Sequence, residues 1–491
     1  MTQSAHQSIG QQLMCINNEW VPAADDTFLS VENPARKGTE AGLVPRGGKI
    51  EVDEAVQAAA KAFPAWRNTP ARERGRAMLA IARDLEARLE EFARLYTLET
   101  GSAIATQSRG EAAAAADLFR YFAGAASEIK GETVPLGEHL FSYTRREPLG
   151  VVGGIVSWNA PLILSALKIS MALTAGNTLV LKPSLEAPLT AVKLVECCSR
   201  HLPPGALNLV TGTGEECGRP LLEHPGIAKL SFTGSTEVGR AVMQAGAERI
   251  IPVSLELGGK NPQIVFPDAD TEHTVQQVIN AMRFVRQGQS CTAGSRLFLH
   301  ASIFDDFLAR LCETLKGLRI GDPFDESTQV GAMVNRTQFE KVCAYIREGL
   351  EQPGAQILCG GLPPESGPLA QGYFLQPTLF SGVAKHWRLA REEVFGPVLT
   401  AHPWTTEEEV IAMANASHFG LSAFIFSKDI NTALKTAHAL ESGFVQINQG
   451  AGIVPGQSYG GFKQSGIGRE WSLEGMLESF TQRKSVTVNL A

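Results

Sequence analysis

The stretch RQGQSCTAG, residues 286–294, sets a single cysteine, Cys291, among glutamines, glycines and small hydroxyl side chains. A structural cysteine usually sits among apolar neighbours and behaves as a small hydrophobe. Here the flanks are polar and let the backbone come close to a ligand, and as a thiolate such a residue is a nucleophile. Glu256 lies inside the apolar run VSLELGGKNP, where burial would raise its pKa and fit it for proton transfer near neutral pH. A structural ion pair explains it as well. Asn159, in SWNAP, carries a neutral amide with two N–H donors, suited to an oxyanion at a carbonyl or, more plainly, to a turn.

Two further stretches could hold a ligand. Lys182 closes the run TLVLKPS, at the end of a strand where open parallel sheets bind ligands, unless it is a solvated strand end. SFTGSTEVGR (231–240) follows one expected strand and opens a helix, so Gly234 and Ser235 could offer backbone N–H groups and a hydroxyl to a phosphate. A capped helix start accounts for it equally. It is not a P-loop, because Arg240 and Ala241 follow Gly239, nor is it G-x-G-x-x-G.

The elements that must position these residues follow from periodicity. Residues 50–96 carry apolar side chains at three- and four-residue intervals with charges between, which predicts helices. From 145 onward, short apolar runs at 148–161, 176–184, 205–212 and 227–234 alternate with helical stretches. That is the order of βαβ units and a parallel sheet. A second such series has strands at 261–266, 295–300, 397–404 and 422–427, with helices at 272–284, 301–317, 336–351 and 406–415. Two α/β lobes joined near 257–260 are expected. Segment 131–147 and the tail TQRKSVTVNLA alternate apolar and polar residues without a nearby partner, as strands of an extra sheet at a subunit contact would.

Composition limits the rest. With 491 residues, two or three domains are expected, and 44% hydrophobic with 19% charged residues is the balance of a globular chain. The net charge of −7 and the lack of any basic run exclude the usual signature of a nucleic-acid partner. No apolar stretch approaches a membrane span, and the first twenty residues lack the features of a signal peptide, so the cytoplasm is the expected location. Eight scattered cysteines form no C-x-x-C pair and no metal-ligand spacing, so no metal is expected. The 10 histidines form no signature that would pair one with Cys291 as in a cysteine hydrolase.

Taken in order along the chain, INNEWVPA (16–23), SWNAP, LVLKPS, FTGSTEVG, LELGGKNP, GQSCTAGSR, EEVFGPV (392–398), FGLSAFIFS (419–427), INQG (447–450) and YGGFKQSGIGRE (459–470) resemble the aldehyde dehydrogenase superfamily over almost the whole chain. The resemblance implies an α/β fold with a Rossmann-like cofactor domain (1–130 and 148–257) and an α/β catalytic domain (258–453). It also implies a small β oligomerisation element from 131–147 and 475–491, in a homodimer or homotetramer. It gives Cys291 the role of nucleophile toward an aldehyde, Asn159 and the Cys291 N–H that of oxyanion donors, and Glu256 that of the base that activates water to hydrolyse a thioester. Ile155 and Trp158 would lie beside the cofactor, Lys182 on its ribose, and Gly234 and Ser235 at its pyrophosphate. Leu257 would make a backbone contact to the nicotinamide amide, while Glu393 and Phe395 would hold the nicotinamide ribose and ring.

Two departures from the family pattern bear on specificity. Leu185 stands where many NAD-preferring members have a glutamate, with Glu186 one later, so NADP is admitted beside a favoured NAD. Ala160, Leu164, Leu167 and Tyr459 fall at tunnel positions, and their small or aliphatic members imply room for a medium-sized hydrophobic or aromatic aldehyde. Val285 and Arg286 replace a common aromatic and Asn; Arg286 could pair with the carboxylate of a semialdehyde or make a structural contact. The alternatives are a semialdehyde or aminoaldehyde oxidised by the same mechanism, a CoA-acylating relative, which would not need Glu256, and a silent one, which would have lost Cys291, Glu256 or Asn159.

Overall fold

The computed structural model describes residues 4–491. Three helices, Lys49–Asn68, Ala71–Ala87 and Leu89–Thr100, occupy the segment with helical periodicity, and a further helix, Arg109–Ala125, follows. The first lobe is an eight-stranded sheet. Its five central strands run parallel in the spatial order Leu207–Leu209, Thr178–Lys182, Val151–Ile155, Lys229–Thr233, Val253–Glu256. The chain builds outward from Val151–Ile155 to one side, then crosses to the other. The carboxyl ends on either side of that strand are therefore the switch point where open α/β sheets bind ligands.

The second sheet has seven strands. Its parallel members run in the order Thr378–Ser381, Val398–Trp404, Arg296–His300, Pro262–Val265, Ser422–Phe426, Phe444–Ile447, with Gln356–Cys359 antiparallel at one edge. Only residues 257–261 separate the last strand of the first parallel set from the first strand of the second. The amino ends of the second sheet thus meet the carboxyl ends of the first. Nearly every strand in these two sets is buried on both faces, which is why they read as continuous apolar runs.

A third sheet, antiparallel, pairs Thr481–Asn489 with Leu140–Pro148 over nine residues, and Thr133–Pro135 adds to its edge. The strand expected from 475 begins later. Residues 475–480 belong to the helix Leu473–Phe480, capped by Ser472, whose Oγ accepts the Gly475 N–H at 3.0 Å. Leu473, Met476, Leu477 and Phe480 carry the i, i+3, i+4, i+7 spacing of its packed face. Among the described residues no helix is long and apolar enough to cross a membrane.

Candidate active site

One cavity of about 650 Å³ lies where the two sheets meet. Its wall holds Cys291, Glu256, Asn159, Trp158, Gly234, Ser235, Leu257, Glu393, Phe395, Ala160, Leu164 and Tyr459, so most of the residues singled out by sequence converge there. All eight cysteines are free thiols, and Cys291 alone among them is not fully buried.

The loop that carries Cys291 is built by unusual backbone. Arg283 and Gln287 adopt positive φ (59° and 56°), and Gly288 follows at 62°. Asn261, at the entry to the second sheet, donates from Nδ2 to the carbonyls of Cys291 at 2.8 Å and Ala293 at 2.9 Å. Gly259 must be glycine, since a Cβ there would lie 2.7 Å from the Cys291 carbonyl. Burial pushes the Cys291 thiol up to about 11, a hydrogen bond from Tyr459 pulls the other way, and Glu393 and Glu256 oppose ionisation while Arg286 favours it.

Asn159 accepts from Ser157 Oγ at 2.7 Å and donates one N–H to the Gln289 carbonyl at 3.1 Å. Its second N–H and the Cys291 N–H have no hydrogen-bond partner among the described residues, and an amide so placed is able to donate to an oxyanion. Glu256 closes its strand 5% exposed, and neither carboxylate oxygen has a hydrogen-bond partner. Burial, and then the nearby charge of Glu470, drive its pKa well above the usual glutamate value. Glu470 is itself held by the buried Lys168 ammonium at 2.5 Å.

The half of the cavity at the first sheet's carboxyl ends suits a dinucleotide. Ser235 caps the helix Thr236–Arg249, and Lys341 adds a cation nearby on the wall. Glu393 accepts the Gly259 N–H at 2.9 Å and keeps a second oxygen, with burial raising its pKa to about 7. Phe395, at φ 56°, meets Trp158 edge to face at 5.2 Å and is tied down by Gln338 Nε2, which donates to its carbonyl at 2.8 Å. An anion-accepting helix start, a cation, a carboxylate for ribose hydroxyls and an apolar ring cradle fit such a group. One expectation needs correction here. The Gly234 N–H donates to the Glu256 carbonyl at 3.0 Å and is not available to a phosphate; the turn offers Ser235 instead.

Ile155 and Lys182 end adjacent strands outside the cavity wall, where Lys182 Nζ donates to the Pro183 carbonyl at 3.1 Å. Leu185 packs against the core, and Glu186 accepts from Ser184 Oγ. Leu167 is a second correction. It does not line the cavity but is fully buried in the core, about 4.5 Å further along its helix than Leu164 by the helical rise. Ile163 lines the wall instead.

The opposite half of the cavity, toward Thr106, Ala114 and Ile453, contains a pair that periodicity could not show. Arg286 Nη2 donates to Glu111 Oε2 at 2.7 Å, and Glu111 is 1% exposed on the helix Arg109–Ala125. Gln107 supports the same carboxylate at 3.1 Å. Arg286 thus makes a contact within the chain, and its charge is already met. Among the described residues, no histidine lines the cavity.

The model of the aldehyde dehydrogenase family matches residues 20–486. The chain is 41% identical over 485 residues to a phenylacetaldehyde dehydrogenase of Pseudomonas fluorescens, covering 97% of this chain and 95% of that one. It is 41% identical over 481 residues to a hydroxyisobutyraldehyde dehydrogenase of Mycolicibacterium austroafricanum, covering 97% and 94%. Among solved structures it is similar to PnpE of Pseudomonas sp. WBC-3 in complex with nicotinamide adenine dinucleotide, with a TM-score of 0.95, 38% identity and 98% of each chain covered.

Proposed function

The chain belongs to the aldehyde dehydrogenase family, and from that premise we propose that it oxidises a medium-sized hydrophobic or aromatic aldehyde to its carboxylic acid with NAD or NADP. The observation that carries the reading is the cavity in which a partly exposed thiol, an amide donor and an unpartnered buried carboxylate face one space. NAD(P)+, when bound, accepts the hydride of the oxidation. Ser235, Lys341, Glu393, Leu257 and Phe395 would hold it on one side of Cys291, with Lys182 and Ile155 on the adenosine side.

Cys291 Sγ attacks the carbonyl carbon, and the carbonyl's π pair moves to oxygen, where Asn159 Nδ2 and the Cys291 N–H receive it. Loss of hydride leaves a thioester on Cys291. Glu256, held in a dry site that raises its pKa, then takes a proton from water as that water attacks the thioester, and the thiolate leaves. A base placed to activate water argues against the CoA-acylating reading, and the absence of histidine from the cavity argues against a cysteine hydrolase.

The substrate class is supported by the wall beyond Cys291, where Ala160, Ile163, Leu164, Val285 and Ile453 leave an apolar tunnel. Pairing of Arg286 with Glu111 weighs against a semialdehyde, whose carboxylate would need a free cation. The relative named for phenylacetaldehyde agrees with this. Val134, Leu136, Leu140, Phe141, Val488 and Leu490 stay exposed on and beside the third sheet, which supports a homodimer or homotetramer built through it. Eight free thiols support a cytoplasmic location.

The test is formation of reduced cofactor at 340 nm across aliphatic, aromatic, amino- and carboxy-aldehydes, with NAD+ and NADP+, beside Cys291→Ala. Turnover of aromatic aldehydes lost in the variant is the expected result; preference for a carboxy-aldehyde would replace the substrate class, and an active Cys291→Ala would remove the nucleophile.

A further inference from the structure

We propose that Tyr459 is a catalytic hydrogen-bond donor to the Cys291 sulfur, stabilising the nucleophile as a thiolate in a cavity that holds no histidine. The proposal rests on the assignment of Cys291 as the nucleophile, made above. Tyr459 Oη lies 3.5 Å from Cys291 Sγ, and among the described residues it has no other hydrogen-bond partner. Tyr459 is only 3% exposed and sits beside Cys291 on the cavity wall. When the sulfur is ionised it carries no hydrogen, so the phenol must be the donor. Burial and the nearby sulfur raise the phenol's own pKa well above its usual value, and it keeps its proton throughout.

The hydroxyl is held in place by construction. Tyr459 and Glu470 exchange backbone hydrogen bonds, at 3.2 and 2.8 Å. Phe444 and Trp471 meet the ring edge-on, with centroids 5.7 and 6.5 Å away. Because Oη lies on the axis about which the ring flips, only rotation about the first side-chain torsion could move it, and these contacts oppose that.

The charges facing the thiol pull in opposite directions. Glu393 and Glu256 oppose ionisation, while Arg286, itself paired with Glu111, and Arg283, tied to the carbonyls of Gly450 and Ala451, favour it without donating a hydrogen bond to the sulfur. In the step itself the Cys291 S–H bond breaks, its proton passes to solvent water, and the electron pair stays on sulfur facing the intact Tyr459 O–H. That pair then forms the C–S bond as the carbonyl's π pair moves to oxygen, and the sulfur, now uncharged, loses most of its attraction for the donor.

The test reads the thiol directly, without aldehyde. Enzyme is pulsed for seconds at each pH with iodoacetamide and quenched, and modification of the Cys291 peptide is followed by mass spectrometry. In Tyr459→Phe the half-maximal pH should rise by about one unit, the size expected for a hydrogen bond to a charged group. The limiting rate should rise roughly threefold, because a more basic thiolate is more nucleophilic. Incorporating 3-fluorotyrosine at 459, a stronger donor, should move the half-maximal pH downward. An unchanged or lowered value in Tyr459→Phe overturns the proposal, and so does a raised value with a diminished limiting rate, which would mean that the ring gates access. Failure of the nucleophile assignment shows separately, as turnover surviving Cys291→Ala.

Discussion

Asn261 Nδ2 donates to the Cys291 carbonyl at 2.8 Å while its Oδ1 accepts the Ser422 N–H at 2.8 Å, so one amide ties the Cys291 loop to the strand Ser422–Phe426. The same Nδ2 also reaches the Ala293 carbonyl. Three buried backbone groups therefore depend on one side chain.

Asn261→Ala leaves those groups unpaired. Destabilisation of about 1–3 kcal/mol is expected, together with a fall in kcat larger than any change in cofactor affinity. Thermal melting and steady-state kinetics check this. An unchanged kcat would show that the loop keeps its shape without the amide.

Glu111 and Arg286 form an ion pair on the wall of the cavity. Glu111→Ala should cost about 3 kcal/mol in denaturant unfolding, since it strips a partner from a guanidinium that is largely buried. It should also free Arg286 to meet an anion, raising kcat/KM for carboxy-aldehydes relative to phenylacetaldehyde by about tenfold, the worth of one modest charge-assisted contact. A ratio that does not move would place Arg286 out of the substrate's reach.

The cavity was legible in sequence where chemistry and local pattern coincide: Cys291 among glycines and hydroxyls, Glu256 in an apolar strand, Asn159 after one. The parallel strands announced themselves because both faces are buried. Glu111 did not. It sits on an amphipathic helix where an acid normally faces water, and its partner Arg286 is 175 residues away. Leu167 was misplaced for a related reason: helical spacing gives the face, but nothing local tells how deep along that face the tunnel ends. The tail helix Leu473–Phe480 was readable from its period and its capping serine, yet the alternation of the following strand obscured its boundary.

Glu393 predicts a pH dependence. Burial raises its carboxyl to about 7, and the ionised form accepts ribose hydroxyls best. The group is protonated below that value and ionised above it. NAD+ affinity should therefore strengthen as pH rises from 6 to 8, by up to about tenfold per unit below the pKa. Glu393→Gln should flatten the dependence. Fluorescence titration of NAD+ at several pH values checks it, and a slope that persists in the variant assigns the titration to another group.

The central claim is that one thiol carries the acyl group and one carboxylate releases it. Glu256→Gln removes the base but leaves Cys291, Asn159 and the tunnel in place. Mixed with NAD+ and phenylacetaldehyde, this variant should form reduced cofactor in a single burst of about one per active site. Mass spectrometry should then find the Cys291 peptide heavier by one phenylacetyl group. Steady turnover without a burst, or an acyl group on any other residue, would contradict the account.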